Sequence, residues 1–586
     1  MIRRNVDTRV PDTRGLNFYD IDGSLHQVLP RYMPGDLLAH LEPHMRRLGG
    51  LVGDHLDDLA HAADFNPPTL RHRDRTGAAW QWIDKHPAYR EMERLAFGEL
   101  GLARMSHQEG VLGWPARMPP AAKYALTYLF VQSEFGLCCP VNMTDSLTRN
   151  LIKFASDEMK EKYLPILLSN DLDRLGQGAM FLTEQGAGSD VGAVECVARH
   201  EDGQWRIYGE KWFCSNADAE LVLVLARPEG APGGTRGLGL FLLPRHLDDG
   251  RQNSYRIVRL KDKLGTRAMP SGEVTLEGAV AYPIGELDQG WRQMADGINN
   301  SRLSNGIRAA GLMRRSWHEA LHVARERVAF GRRLLDMPLM RRQLMKILLP
   351  TEQALSFAFY TAEVLGRADA DGTDEEAKAL GRILTPLIKF RACRDARKVA
   401  GDSMEVRGGS GYIEEWINPR LLRDSHLGSI WEGTSNVVAQ DVLRSSRKLH
   451  AHTRLAAALE ARLDAAGDGV PDAYRDAVMQ SLGRATALVD RALDGNGEPR
   501  LTRQASSAMY NVACAVLMAW EGVMTARETG DARRLVLSRA VYDHRLDVAD
   551  PLAEGDADRE GQMAEWLLED PAPGLDEAAR FVAQGL

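Results

Sequence analysis

Disulfides, zinc and membrane spans are the first things this sequence lacks. Cys138, Cys139, Cys196, Cys214, Cys393 and Cys514 form no CxxC pair and have no His partner at zinc spacing. No metal site is expected, and the cysteines read as reduced thiols in a cytoplasmic protein. One of the longest apolar runs, NVACAVLMAW at 511–520, is too short to cross a bilayer. The start, MIRRNVDTRVPDTRG, carries charge but no apolar h-region, so no secretory signal is expected. Positive charge is not in excess: 73 Lys+Arg stand against 81 Asp+Glu, which leaves no global pull toward nucleic acid or anionic membrane. Phosphate-binding and hydrolytic signatures are missing too. GLGLFLL at 237–243 lacks the third glycine of a Rossmann turn and opens no helix. GGSG at 408–411 lacks the spacing of a nucleophile elbow, and there is no GxxxxGK[ST] or HExxH. A nucleotide cofactor would have to be held another way.

What is present is a long soluble chain. Its 586 residues, 44% hydrophobic and 26% charged, suit a globular protein of three or four domains of roughly 150 residues each. Residues 1–178 carry mostly helix-period patterns, as in GDLLAHLEPHMRRLGGLVGDHLDDLAHAA at 35–63. From 179 to 288 short β-rich runs follow one another between turn residues: QWRIYGEKWFCSN, AELVLVLARP, GLGLFLLP, YRIVRLKDKLG and GEVTLEGAVAYP. Helical periodicity returns over 289–450 and continues through a helical extension, 451–586. The order helical, β, helical predicts an α+β fold, mainly α, with a β-domain set between two helical ones. The extension is acidic: 445–586 holds 16 Lys+Arg against 23 Asp+Glu.

Three stretches carry the candidate chemistry. FLTEQGAGSDVGA at 181–193 offers the Thr183 and Ser189 hydroxyls, with Gly186 and Gly188 letting backbone N–H groups approach a ligand. On composition alone it is equally an ordinary glycine-rich turn. EVRGGSGYIEEWINPRLLRDS at 405–425 is a second glycine cluster, equally readable as a helix C-cap. SIWEGTSN at 429–436 sets one glutamate between Trp431 and Gly433, which fits a carboxylate at the edge of an apolar cavity, its pKa raised by burial and usable as a base. A solvated helix-cap carboxylate is the plainer alternative for Glu432.

Taken together, in order, these motifs resemble those of the acyl-CoA dehydrogenase superfamily over roughly residues 30–445. TEQGAGSD at 183–190 looks like that family's first signature. The run from Glu405 through Gly408, Gly409, Gly411, Tyr412, Glu415 and Arg420 to Asp424 looks like its second. RERVAFGRRL at 325–334 is similar to its FAD-contacting turn, and IWEGTSN to its catalytic loop. Within the family, DFNPPTLRHRD, GEKWFCSN, RIVRLKDKLGTR and PLMRRQLM resemble the AidB-like subgroup. The resemblance implies a helical N-terminal domain, a β-barrel middle domain and a C-terminal four-helix bundle. Here these would be 1–178, 179–288 and 289–450, followed by the extension.

The same resemblance implies FAD as cofactor. Phe181, Leu182, Thr183, Gly188 and Ser189 would meet the flavin and its phosphates, with Phe213, Cys214 and Ser215 along the isoalloxazine ring. Cys214 itself reads as buried filler rather than a redox thiol. Arg327, Phe330, Glu405, Gly408 and Gly409 would come from a partner subunit, and Thr434 and Asn436 would complete the site. Glu432 takes the position of the base that abstracts the α-proton of an acyl-CoA thioester, with the β-hydrogen leaving as hydride to the flavin. Ser189, Asn299, Arg302, Trp431 and Gly433 would face substrate. Electrons would pass to an electron-transfer flavoprotein, and the protein would be a homodimer or homotetramer. The extension would cover the bundle face used for tetramer assembly and leave a dimer. An acyl-CoA oxidase is the neighbouring reading, since nothing in the motifs separates it. An AidB-like nucleic-acid-associated protein is a third, and the acidic 445–586 speaks against it. Three positions depart from the family pattern: Phe213 stands where a Trp covers the flavin, Ala329 where a hydroxyl residue is frequent, and Asn299 where some members have a carboxylate.

Overall fold

The computed structural model describes residues 10–370, 372–494, 499–547, 550, 552 and 554–586. The chain divides into two compact units, one spanning Asp54–Ser304 and the other combining Asn305–Leu586 with the segment up to Gly53. The N-terminal segment therefore belongs with the C-terminal helices rather than with the helices that directly follow it.

In the Asp54–Ser304 unit a closed barrel follows a set of helices that includes Pro120–Phe130, Cys138–Phe154 and Asp157–Leu167. Strand Leu221–Pro228 pairs antiparallel with Gly239–Pro244, which pairs with Ser271–Pro283. Ser271–Pro283 pairs with Gln204–Ser215, and that strand with Val197–Glu201, which returns in parallel to Leu221–Pro228 and closes the ring. Gly178–Phe181 lies parallel against Leu221–Pro228, and Tyr255–Leu260 lines the far side of Ser271–Pro283. Each β-rich run read from the sequence is one of these strands. Gly178–Phe181 and Val197–Glu201 are additional. So is an antiparallel hairpin, Thr69–Arg73 with Ala79–Asp84, inside the stretch expected to be helical. It docks through Gln81, whose side chain donates to the Ile257 carbonyl (2.9 Å) and accepts from the Ile257 N–H (2.8 Å). The run Leu221–Ala226 is buried at every position, as befits a strand covered on both faces.

In the other unit, long helices make the bundle: Pro338–Ala370, Glu375–Arg407, Ser435–Leu449 and the part of Gly290–Glu326 from Asn305 onward. The Asp374 side chain caps the second of these by accepting from Ala377 N (2.8 Å). The extension folds as further helices, among them Ala451–Ala465, Asp472–Leu493, Thr502–Thr529 and Arg533–Arg545. Its apolar run 511–520 is buried inside helix Thr502–Thr529, and no described helix is long and apolar enough to cross a membrane.

The extension is fastened by a buried ion web. Arg534 donates to Glu521 (2.8 Å), to Glu352 (2.9 Å) and to the Ser356 hydroxyl. Glu352 also accepts from Arg314 (2.7 Å) and Ser24 (2.8 Å), and Glu521 from Tyr32 (2.6 Å). N-terminal segment, bundle and extension thus share one set of buried charges. Removing one partner of a fully buried pair costs about 3–5 kcal/mol, because it strands the other charge. Arg534→Leu is therefore expected to lower the thermal unfolding midpoint by several degrees and to speed proteolysis within 451–586. Exchanging the exposed Arg447 for Leu leaves both unchanged.

Candidate active site

On the barrel unit, Gly178–Phe181 ends where the TEQGAGSD loop begins. The loop folds on itself through Glu184 N to Ala187 O (3.1 Å) and is tied to strand Gln204–Ser215 by Trp212 N to Thr183 O (2.8 Å). Its anchor is charged. The buried Glu184 carboxylate accepts from Lys211 Nζ (2.6 Å), Glu195 N (2.6 Å) and Cys196 N (3.3 Å). Lys211 in turn donates to the Leu225 carbonyl (2.9 Å). Burial alone would raise the Glu184 carboxyl; Lys211 and the N–H donors outweigh it and hold the group below its usual range. Beyond this anchor Gly186, Gly188 and Ser189 are exposed, and a side chain at Gly186 would meet nothing within 4 Å. Backbone N–H groups there are open to a ligand.

The strand opposite presents the aromatic side chain. Between Lys211 and Cys214 the register with Ser271–Pro283 shifts, and this irregularity re-aims Trp212 and Phe213. Phe213 is 55% exposed, with Lys261 Nζ 4.6 Å from its ring centre. Cys214 and Phe181 face the other way: both side chains are fully buried in the barrel, so neither reaches a ligand except through its main chain. For Cys214 this agrees with its reading as buried filler. Burial pushes its thiol well above the ordinary range. Asn299 is half-buried and Arg302 buried on helix Gly290–Glu326.

On the bundle unit, Arg327 leads into a two-residue hairpin, Val328–Ala329 with Arg332–Arg333, whose tip residues Phe330 and Gly331 both have positive φ. Phe330 is 96% exposed. Arg327 donates to the Arg407 carbonyl (3.1 Å), which brings the hairpin beside the turn Gly408–Tyr412, as the two motifs suggest. Gly408 takes φ +75, and a Cβ on Gly411 would sit 2.4 Å from the Met404 carbonyl, so glycine is required at both. Tyr412 and Ile413 are exposed on the same turn.

The SIWEGTSN stretch is a turn between helices Ile417–Gly428 and Ser435–Leu449. Glu432 has φ +54, a left-handed conformation a non-glycine residue adopts only where its surroundings hold it, and Gly433 follows at φ +96. Trp431 is stacked under the Arg308 guanidinium, 4.7 Å from the ring centre. Lys389 donates to the Gly433 carbonyl. Glu432 is only half-buried, so the drying expected from the sequence is not supplied by this unit alone. Glu184, Lys211, Arg308 and Lys389 support these loops and are not singled out from the sequence, although Glu184 lies within TEQGAGSD and Lys211 within GEKWFCSN. An isolated Lys in an apolar stretch such as TPLIKFRAC is the available signal for the last of them.

Comparison with known proteins places this geometry. Residues 179–279 match the acyl-CoA dehydrogenase middle domain and 288–446 the acyl-CoA dehydrogenase C-terminal domain. Residues 8–174 match the adaptive response protein AidB N-terminal domain. The chain is 32% identical to the putative acyl-CoA dehydrogenase AidB of Escherichia coli K12 over 447 residues, 74% of this chain and 78% of that one. It is 30% identical to acyl-CoA dehydrogenase family member 11 of Caenorhabditis elegans over 439 residues, 73% of this chain and 70% of that one. The solved structure of C. elegans ACDH-11 in complex with C11-CoA superposes with a TM-score of 0.83 at 26% identity, covering 92% of this chain and 93% of that one. The apo-form of Bd2924 gives 0.78 at 30% identity, covering 88% and 99%. The chain belongs to the acyl-CoA dehydrogenase family, a family of oxidoreductases that work with FAD.

The donors present suit that cofactor: hydroxyls and open N–H groups on the barrel loop for a pyrophosphate, an exposed aromatic ring for the flavin plane, and Arg327 beside a glycine turn. The Glu184–Lys211 anchor gives a pH prediction. Because the folded carboxyl titrates below its ordinary value near 4.5, its stabilisation is complete above that value and is lost as pH falls through the folded pKa. Unfolding measured from pH 6 to 3 should show stability falling with pH, with a shallower fall in Glu184→Gln.

Proposed function

We propose that the protein oxidises an acyl-CoA thioester between its α and β carbons, with Glu432 as the base. The observation that carries this reading is the turn itself: a glutamate whose main chain is held left-handed between a stacked Trp431 and Gly433. When bound, FAD supplies the redox step by accepting the β-hydrogen as hydride. The remaining work falls to the chain. Thr183, Ser189 and the N–H groups near Gly188 hold the cofactor's polar middle, with Leu182, Phe213 and Ser215 against its ring and Thr434 and Asn436 beside it. Asn299, Arg302 and Ser189 orient the thioester, and Gly433 leaves room for it. The Glu432 carboxylate takes the α-proton, and the Glu432 main-chain N–H donates to the thioester oxygen as negative charge develops there. Thioester and ring, once in place, shield a carboxylate that the bundle leaves half open. The C. elegans structure holding C11-CoA supports the substrate class.

Arg327, Phe330 and the Glu405–Gly409 turn serve the cofactor of a second copy of the chain. Phe330, Tyr412, Ile413 and Val328 expose large apolar surface on segments joined by Arg327, the mark of a partner-facing patch. A homo-oligomer, dimer or tetramer, is the assembly this supports. Electrons pass to an electron-transfer flavoprotein. Six free cysteines fit a reducing compartment.

Anaerobic mixing of the yellow protein with acyl-CoAs of graded length should bleach its absorbance near 450 nm. Glu432→Gln should keep the bound flavin and slow the bleaching by about 10²–10⁴-fold, the range for loss of a positioned general base. Bleaching at the parental rate in that variant would overturn the assignment.

A further inference from the structure

Lys389 lies mid-way along helix Glu375–Arg407, only 1% exposed, and its ammonium donates to the main-chain carbonyl of Gly433. Lysine is rarely this buried, and a buried cation needs acceptors fixed around it. Its neighbours on the helix grip the same segment. Phe390 packs with Val438 and Ala439, just after the turn, while Cys393 lies 3.4 Å from the Cβ position of Gly428, just before it. One helix thus clamps both flanks of 428–438, and Lys389 alone of these residues bonds to the polar main chain between them. The carbonyl it holds belongs to the residue after Glu432, in a pair of consecutive positive-φ residues. That carbonyl lies in the peptide plane between Gly433 and Thr434, so releasing it frees the Gly433 dihedrals and lets the Glu432 side of the turn rotate.

We propose that Lys389 is a positioning residue that fixes the Glu432–Gly433 turn and thereby aims the Glu432 carboxylate at the α-carbon of the thioester. Resting on the reading of Glu432 as the base, it adds the group that sets where that base points. Arg308 also braces the turn, by stacking on Trp431. Lys389 itself acts through the turn and touches neither substrate nor cofactor.

The test compares the FAD-loaded protein with Lys389→Met and Lys389→Arg by two readouts. Amide hydrogen exchange in peptides covering 429–437 is expected to quicken about tenfold in Lys389→Met, with the barrel strand 204–215 unchanged. Anaerobic flavin reduction by acyl-CoA is expected to slow about 10–100-fold with half-saturation shifted less than about threefold, the pattern of a misplaced base rather than of weakened substrate binding. Lys389→Arg, which keeps a cationic donor, should bring both readouts back to within about threefold of the parent. Should Lys389→Met fail to fold, Lys389→Gln is read by the same criteria. Parental exchange over 429–437 in the Met or Gln variant overturns the proposal, as does slow reduction accompanied by a large rise in half-saturation. A parent protein that no acyl-CoA reduces overturns the dehydrogenase reading and the aiming role together. A parent that is reduced, beside a variant with an undisturbed turn, overturns the role of Lys389 alone.

Discussion

Glu319 carries its charge at 2% exposure, and the bundle unit is arranged around that fact. Its carboxylate accepts from Thr13 (2.6 Å), from Arg315 (2.8 Å) and from Arg407. Arg407 then donates to Asn418 (2.8 Å) and to the Pro11 carbonyl (2.8 Å), and its guanidinium lies over Trp416. Burial alone would raise the Glu319 carboxyl; the two arginines outweigh it and hold the group below its ordinary range. Removing Glu319 would strand two buried arginine charges, Arg315 and Arg407. The last residue before the glycine turn Gly408–Tyr412 is therefore locked to the helix that carries Glu319 and to the N-terminal segment. This explains why that segment groups with the C-terminal helices.

The same arrangement recurs at each functional loop. Glu184 and Lys211 sit beneath the exposed TEQGAGSD loop, the Arg407 web beneath the glycine turn, and Lys389 beneath the turn of Glu432. In every case a buried charge with fixed partners holds a short stretch that contains glycine. Such a stretch can present N–H groups or a carboxylate without depending on its own propensity for a regular conformation. The strain at Glu432 is tolerable because its neighbours are held, Gly433 by Lys389 and Trp431 by the Arg308 stack.

Much of this was legible in the residues. The β-rich runs from 204 to 283 became barrel strands, and the glycine clusters became turns. What escaped has physical reasons. Gly178–Phe181 and Val197–Glu201 are short and borrow their strand character from Leu221–Pro228. The 69–84 hairpin is largely exposed and lacks a buried face to alternate against. Phe181 and Cys214 turn inward because strand alternation and a local register shift, invisible in a motif, decide which side chains face out. For Lys389 the sequence offers only its apolar surroundings, TPLIKFRAC; its partner depends on what covers helix Glu375–Arg407 at that point. Glu432 was found by its neighbours, yet its left-handed backbone was not, since only the tertiary clamp makes that conformation available.

The central claim is geometric, and a structure of the FAD-loaded protein with a non-oxidisable acyl-CoA analogue tests it most directly. The account predicts a Glu432 carboxylate oxygen about 3–3.5 Å from the thioester α-carbon, the separation of a near-attack arrangement. It also predicts the Glu432 N–H directed at the thioester oxygen. A thioester bound with its α-carbon beyond reach of Glu432, or facing a different base, would contradict it.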